Sequence, residues 1–252
     1  MQKFAKICYN RGMDKTESDK LPAHIGFILD GNRRWAKARN LPTLEGHKKG
    51  YDTLLKLAYV ARDAGIQYVS AFTFSTENWS RSKKEVDYLM DLALWAFGRD
   101  MKRLVDDGFR IVFLGRSDGV RAKIREKIIE LEKLSEKNSG TTLALCFNYG
   151  GRAEIIDASK RIAEAFANGE ITEQQLKNFG DNDFANFLYH PEIPACDLIV
   201  RTSGEERISG FQLWRAAYAE FLFIDKAWPE FDESDFANCL AEFARRNRRM
   251  GK

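Results

Sequence analysis

From His24 onward the chain alternates between two hydrophobic rhythms. Short unbroken apolar runs suit buried strands, and longer stretches carry apolar residues three or four apart, as one helix face does. Ile25–Leu29 reads as the first strand. Lys48–Ala64 reads as a helix, with Leu54, Leu57, Ala58 and Ala61 on one face and Gly65 closing it. The remaining pattern predicts strands at Tyr68–Phe74, Phe109–Leu114, Leu143–Phe147, Asp197–Val200 and Phe221–Ile224. Helices are predicted over Glu85–Val105, Val120–Lys137, Ala153–Ala167 (stopped by Gly169) and Glu233–Arg248. Strands that alternate with helices of ten or more residues imply parallel pairing with helical crossovers. The expected fold is therefore a single α/β domain over 23–252, with a mostly parallel central sheet flanked by helices. Residues 1–22 are polar and read as a flexible leader. In such sheets ligands sit beyond the carboxyl ends of the strands, so the residues just after each strand matter most.

Composition narrows the class without naming a ligand. The 252 residues include 40 Lys and Arg against 37 Asp and Glu, a net charge of +3, with 44% hydrophobic and 31% charged positions. Those proportions exclude collagen-like and wholly disordered chains. The balance of charge argues against a dedicated nucleic-acid binder. Cys8, Cys146, Cys196 and Cys239 show neither CxxC nor metal-ligand spacing and read as reduced thiols of a cytoplasmic protein. No apolar run approaches the ~18 residues of a membrane span, and the start lacks the apolar core of a signal peptide.

The segment after the first strand is Asp30-Gly31-Asn32-Arg33-Arg34-Trp35. Gly31 permits a tight turn, and the helix opening there offers free N–H groups to an anion. Arg33 and Arg34 add planar donors that match phosphate oxygens. Asp30 would repel a phosphate unless a cation stood between them, and Mg²⁺ is commonly held by one or two carboxylates plus substrate phosphates. The chemistry is then a diphosphate–Mg²⁺ site; a capping Asp30 with solvated arginines is the other reading. Gly46-His47-Lys48-Lys49-Gly50 follows at a predicted helix start, where His47 suits an anion donor, a proton shuttle or a structural role. Neither segment matches the P-loop or GxGxxG fingerprints.

After the second strand, Ser75, Thr76, Glu77, Asn78, Trp79 and Arg81 converge at one strand end. Trp79 could wall an apolar substrate and Arg81 hold its charged head; Ser82 with Glu85 also fits a capping box. The next helix is apolar on almost every side from Leu89 to Phe97, as a doubly packed core helix or the wall of a hydrocarbon pocket would be. A diphosphate head with a hydrocarbon tail describes an isoprenoid. Beyond Val200, Arg201, Arg207, Ile208 and Ser209 lie in a Gly-rich turn that forms a second anion site. Glu220 stands in an apolar, aromatic stretch, where a carboxylate needs a metal or an arginine.

The segments HIGFILDGNRRWA, GHKKG, FSTENWSR, NYGGR and RTSGEERISGFQLWRAAYAEF, in this order over about residues 24 to 248, resemble the cis-prenyltransferases, the isoprenyl transferases typified by undecaprenyl diphosphate synthase. The DDxxD pair of the trans enzymes is absent. The resemblance implies the undecaprenyl-diphosphate-synthase-like fold, a homodimer, and Mg²⁺-dependent condensation of isopentenyl diphosphate onto an allylic prenyl diphosphate such as farnesyl diphosphate. By motif it makes Asp30 the Mg²⁺-linked catalytic acid and places Gly31, Asn32, Arg33 and Arg34 around the allylic diphosphate. Trp35 and His47 would line that site, and Ser75, Thr76, Glu77, Asn78, Trp79 and Arg81 would form the adjoining wall. Arg201, Arg207, Ile208 and Ser209 would bind isopentenyl diphosphate, and Glu220 would be a second metal ligand. Asn78 holds the position that the family uses in proton removal; because an amide is a poor base, we expect it to orient groups while diphosphate or water accepts the proton.

Three departures stand out: Arg33 replaces a glycine of DGNGR, Thr43 an arginine, and Thr73 a smaller residue. Arg33 or Arg39 could substitute for the missing arginine, and Thr73 could narrow the tail cavity. The expected product is a C55 carrier lipid for cell-wall glycans, made at the inner face of the plasma membrane. A short- or medium-chain synthase and a non-catalytic scaffold subunit are the alternatives. The basic end (Arg245, Arg246, Arg248, Arg249, Lys252) would touch anionic lipid or stand solvated.

Overall fold

The computed structural model describes residues 21–246. Residues 1–20 of the expected leader, with Cys8, lie outside the described residues, as do Arg248, Arg249 and Lys252. Leu21, assigned to the leader, packs against the core.

Six strands form one wholly parallel sheet in the order β3-β4-β2-β1-β5-β6. They are β1 (His24–Ile28), β2 (Tyr68–Ser75), β3 (Arg110–Leu114), β4 (Thr142–Tyr149), β5 (Leu198–Thr202) and β6 (Glu220–Ile224). The helices are α1 (Asn32–Ala38), α2 (Thr43–Asp63), α3 (Lys83–Asp106), α4 (Ala122–Ser135), α5 (Gly151–Ala167), the short α6 (Glu173–Lys177) and α7 (Asp181–Ala185), and α8 (Glu233–Arg245). The chain leaves β1 toward β2 on one side, whereas β5 leads to β6 on the other. The switch point, where an open parallel sheet forms its ligand crevice, therefore lies between β1 and β5.

β4 is buried along its whole length because both faces are covered, one by helices and the other by the non-helical residues Tyr189, Ile193, Phe211 and Ala216. Leu143, Leu145 and Phe147 join a core with α2, α3 and α8, while Ala144, Cys146 and Tyr149 join the core on the opposite face. Tyr149 keeps to the second face because Asn148 adopts a left-handed backbone, φ +50°, which breaks the two-residue alternation. On the first face Phe27 packs against Trp228, Phe231 and Phe236, with ring centroids 5.8–6.2 Å apart.

The largest boundary difference is α2, which starts at Thr43 rather than Lys48. Its glycines do not interrupt it, because they are where α2 docks on α1. A Cβ on Gly46 would lie 2.0 Å from the Asn32 carbonyl oxygen. His47 consequently sits inside a helix and not at its start. Ser82 caps α3 by accepting from the Glu85 N–H, 3.4 Å, but the Glu85 side chain turns elsewhere, so the reciprocal half of the expected box is absent.

Candidate active site

The sheet register brings the first anion loop and the second into contact. Ile28 pairs with Arg201 across β1 and β5, which places the loop after β1 against the end of β5. Arg201 is buried, and its guanidinium donates to Asp30 Oδ2 at 2.9 Å, to Ser209 Oγ at 2.9 Å and to the Arg207 carbonyl. Its Nε–H is buried without a protein partner, so this cation still has donor capacity. Asp30 also accepts from the Gly31 N–H, 2.7 Å, and lies 3.3 Å from Arg34 Nη2. Gly31 takes φ +99°, packed on the Ser203 side chain, where any Cβ would clash. Burial raises the Asp30 pKa, but the Arg201 hydrogen bond, the Gly31 N–H and the charges of Arg201 and Arg34 outweigh it. The net shift is below the ordinary 3.8, so the carboxylate is ionised at neutral pH.

A cavity of about 970 Å³ begins at this pair. Its polar end is lined by Asp30, Asn32, His47, Ser75–Asn78, Arg81, Arg201 and Ser209. It then runs between α2 and α3, past Leu54, Leu89, Leu92, Ala93 and Ala96, to Met101 and Leu145. The apolar face of α3 is thus both core and cavity wall. Arg33, Arg34, Lys37 and Arg207, with Gly31 and Glu205, line an adjoining polar cleft that shares Asp30, Asn32, His47 and Arg81 with the cavity. Glu205 meets Arg34 at 3.2 Å and also pairs with Arg207.

Asn78 Oδ1 accepts from the Ser75 N–H at 3.1 Å, so the amide holds the turn after β2 in shape while facing the cavity.

Four expected residues are not brought to this lining. Trp79 packs edge-on against Phe74 and donates to Asn148 Oδ1 at 2.7 Å. Asn148 in turn donates to the Arg116 and Asp118 carbonyls. Trp79 is a brace between the loops after β2 and β3 and the end of β4. Trp35 lies beneath the Arg39 guanidinium, 4.7 Å away, and Arg39 itself pairs with Glu230; neither faces the cleft. Of the two candidate substitutes for the missing arginine, only Arg33 lines it. Ile208 packs on the core beside Phe211. Glu220 pairs with Arg246 at 2.9 Å. It opens β6 in register with Leu198, which faces Ile25; Asp30 lies five residues further along, about 16 Å by strand rise alone. Within one chain, then, Glu220 and Asp30 do not share an ion.

Sequence reasoning also missed contributors. Arg116, held by Asp157 at 2.7 Å, and Arg152 line the cavity where β3 and β4 end. Glu85 gathers His47 Nε2 at 3.3 Å, Arg81 at 2.9 Å and Arg33 at 3.8 Å. Burial and the Arg81 charge lower the His47 pKa against the opposing pull of Glu85. A carboxylate only accepts, so neutral His47 carries its proton on Nε2 toward Glu85.

Can these residues hold Mg²⁺? Among the described residues no group of three His, Cys, Asp or Glu side chains is placed to bind a metal. Asp30 is one ionised, partly exposed carboxylate among phosphate-binding donors. That suits a metal held jointly with substrate phosphates and does not suit a protein-only cage.

The all-parallel sheet carries an arginine-rich anion cleft at its switch point that opens into an apolar cavity, an arrangement that suits a diphosphate head with a hydrocarbon tail. The chain belongs to the family Prenyltransf, described as "Putative undecaprenyl diphosphate synthase", whose model matches residues 28–251. It is 41% identical over 235 residues to an isoprenyl transferase of Thermotoga maritima, covering 92% of this chain and 97% of that one. It is 39% identical to the (2E,6E)-farnesyl-diphosphate-specific ditrans,polycis-undecaprenyl-diphosphate synthase of Micrococcus luteus, covering 92% of each. Among solved structures, lavandulyl diphosphate synthase from Lavandula x intermedia, in complex with dimethylallyl diphosphate, superposes with a TM-score of 0.88 at 31% identity. The match covers 93% of this chain and all of that one.

Proposed function

We propose that this chain is a Mg²⁺-dependent cis-prenyltransferase that extends farnesyl diphosphate with isopentenyl diphosphate to a long polyprenyl diphosphate of the C55 class. One observation carries the reading: a single cavity joins the Asp30–Arg201 anion site to an apolar channel along α3. Arg34, Arg201, Arg207 and Ser209 supply donors for two diphosphates side by side, which brings an alkene close to an allylic carbon. Mg²⁺ beside Asp30 would neutralise charge on the departing diphosphate. Fixed guanidinium donors stabilise that same charge without reorganising. Asn78 orients the reacting groups, and a diphosphate oxygen or water takes the proton.

The ionised Asp30 and the intact arginine cleft favour an enzyme over a scaffold subunit. Support for a homodimer comes from the sheet edges. The Ile111 and Phe113 N–H groups of β3 are capped by Ser135 and Glu132, whereas β6 presents stacked Phe221 and Phe223 beside the exposed Tyr218. Among the described residues no helix is long and apolar enough to cross a membrane. We place the protein in the cytoplasm, touching the inner face of the plasma membrane as product partitions into lipid.

The test is to incubate purified protein with farnesyl diphosphate and labelled isopentenyl diphosphate, with Mg²⁺ or with a chelator, and to size the products. Metal-dependent C55 chains are expected. Absent elongation overturns the enzyme reading, and short products overturn the chain length. Asp30→Ala should abolish turnover without unfolding, because Arg201 keeps Ser209 and the Arg207 carbonyl. Normal activity in that variant would defeat the metal assignment.

A further inference from the structure

Glu85 is a charged residue beside the head-group site that lines neither cavity. It stands behind the lining on the first turn of α3, with its side chain only 11% exposed. Hydrogen-bond donors from three separate elements converge on it, two of them cations. Arg33 comes from α1, His47 from α2, and Arg81 from the residues just before α3, and each of the three lines the polar cleft. Arg81 and His47 share one carboxylate oxygen, Oε1, and Arg33 faces the other, Oε2. These are the groups on this side of the cleft that would meet a diphosphate. They are already turned onto an internal anion whose two oxygens imitate part of a phosphate face.

We propose that Glu85 is a resident counter-anion that exchanges with diphosphate: it holds Arg33, Arg81 and His47 when the head-group site is free, yields Arg33 and His47 to the incoming anion while keeping Arg81, and takes them back when inorganic diphosphate leaves. The inference rests on the function proposed above and adds a residue for the release step of each condensation. Glu85 is a positioning residue, because it acts through Arg33, Arg81 and His47 and touches neither substrate. The exchange is possible because the three contacts differ in hold. Arg33, 60% exposed and 3.8 Å away, is loosely attached and free to swing. Arg81, at 2.9 Å and one helical turn from Glu85, keeps the carboxylate from becoming an unpaired buried charge. With the carboxylate present the local cations are part-neutralised, which weakens diphosphate binding and speeds release. Without it they face the anion at full charge.

The experiment is calorimetric titration of inorganic diphosphate with Mg²⁺ into wild type, Glu85→Gln and Glu85→Asp, with melting temperature, kcat and KM measured alongside. Gln keeps the shape and removes the charge, so binding should tighten roughly tenfold and inhibition by diphosphate should deepen. The value of kcat should fall with slower release, while KM for farnesyl diphosphate should not rise. Asp withdraws the carboxylate by one methylene and should tighten binding by a smaller factor; it carries the test if the Gln variant does not fold. Equal or weaker diphosphate binding in the folded variants, beside a wild type that binds it, overturns the exchange and leaves the proposed function standing. A wild type that does not bind diphosphate overturns both.

Discussion

Replacing Arg201 by Lys keeps the positive charge and removes the geometry. The native guanidinium spans three acceptors on two loops: Asp30 Oδ2, Ser209 Oγ and the Arg207 carbonyl. A lysine ammonium at the end of a thinner stem reaches one of these well. Losing two charge-assisted hydrogen bonds, partly offset by entering water, costs about 2–3 kcal/mol of organisation. If that organisation is expressed in the transition state, kcat/KM falls by about 30- to 150-fold. Asp30 keeps the Gly31 N–H and Arg34, so Arg201→Lys should still fold cooperatively. Steady-state rates with each diphosphate varied in turn, together with thermal melting, provide the assay. Rates within threefold of wild type for both substrates would refute the role of the fork. So would a loss fully accounted for by unfolded protein.

Other consequences are as direct. Ala96→Leu fills the cavity wall on α3, where Ala96 is buried; products should shorten with little change in KM for farnesyl diphosphate, and an unchanged length distribution by chromatography would show the tail runs elsewhere. Gly46→Ala drives a Cβ to 2.0 Å from the Asn32 carbonyl, so melting should record a loss of at least about 2 kcal/mol, with activity falling as α1 shifts; wild-type melting would contradict that contact. His24 is buried between Ser70 and the Pro194 carbonyl, and burial lowers its pKa from 6.5 to about 4. The unfolded chain therefore takes up a proton that the folded chain refuses, and stability is full above pH 6.5 and lost as pH falls toward 4. Urea unfolding at pH 7.5 and pH 5 should show wild type losing about 2 kcal/mol more than His24→Gln; equal losses would deny the neutral histidine.

Strands and long helices were legible because each carries its own period. Ile25–Leu29 and Leu143–Phe147 are unbroken apolar runs that mark β1 and β4, β2 is a run interrupted by Ser70 and Thr73, and the stripe at Leu54, Leu57, Ala58 and Ala61 marks α2. The start of α2 was not legible, because Gly46 and Gly50 look like breakers until Asn32 is seen pressed against them. The anion site was readable at Asp30, Arg34 and Arg201, whose residue types state their chemistry and whose strand ends meet by sheet topology. Trp79, read as a substrate wall, and Trp35, placed at the site by the motif resemblance, sit elsewhere, because partners 69 and 4 residues away decide where each ring goes. Glu85 was hidden by its own local pattern, since a glutamate three residues after Ser82 reads as a cap. Net charge carried little about the site, because arginines gathered at five strand ends matter more than their near cancellation over the whole chain.

The central claim is that one molecule of substrate lies with its diphosphate at the Asp30–Arg201 pair and its hydrocarbon between α2 and α3. A photoreactive group at the tail end of an allylic diphosphate, activated in the bound complex and mapped by mass spectrometry, reports that placement directly. Labelling should fall on α3 at Leu89, Leu92 and Ala96 or on α2 at Leu54, and excess inorganic diphosphate should suppress it. Labelling on the β6 edge or around Trp35, with α3 untouched, would contradict it.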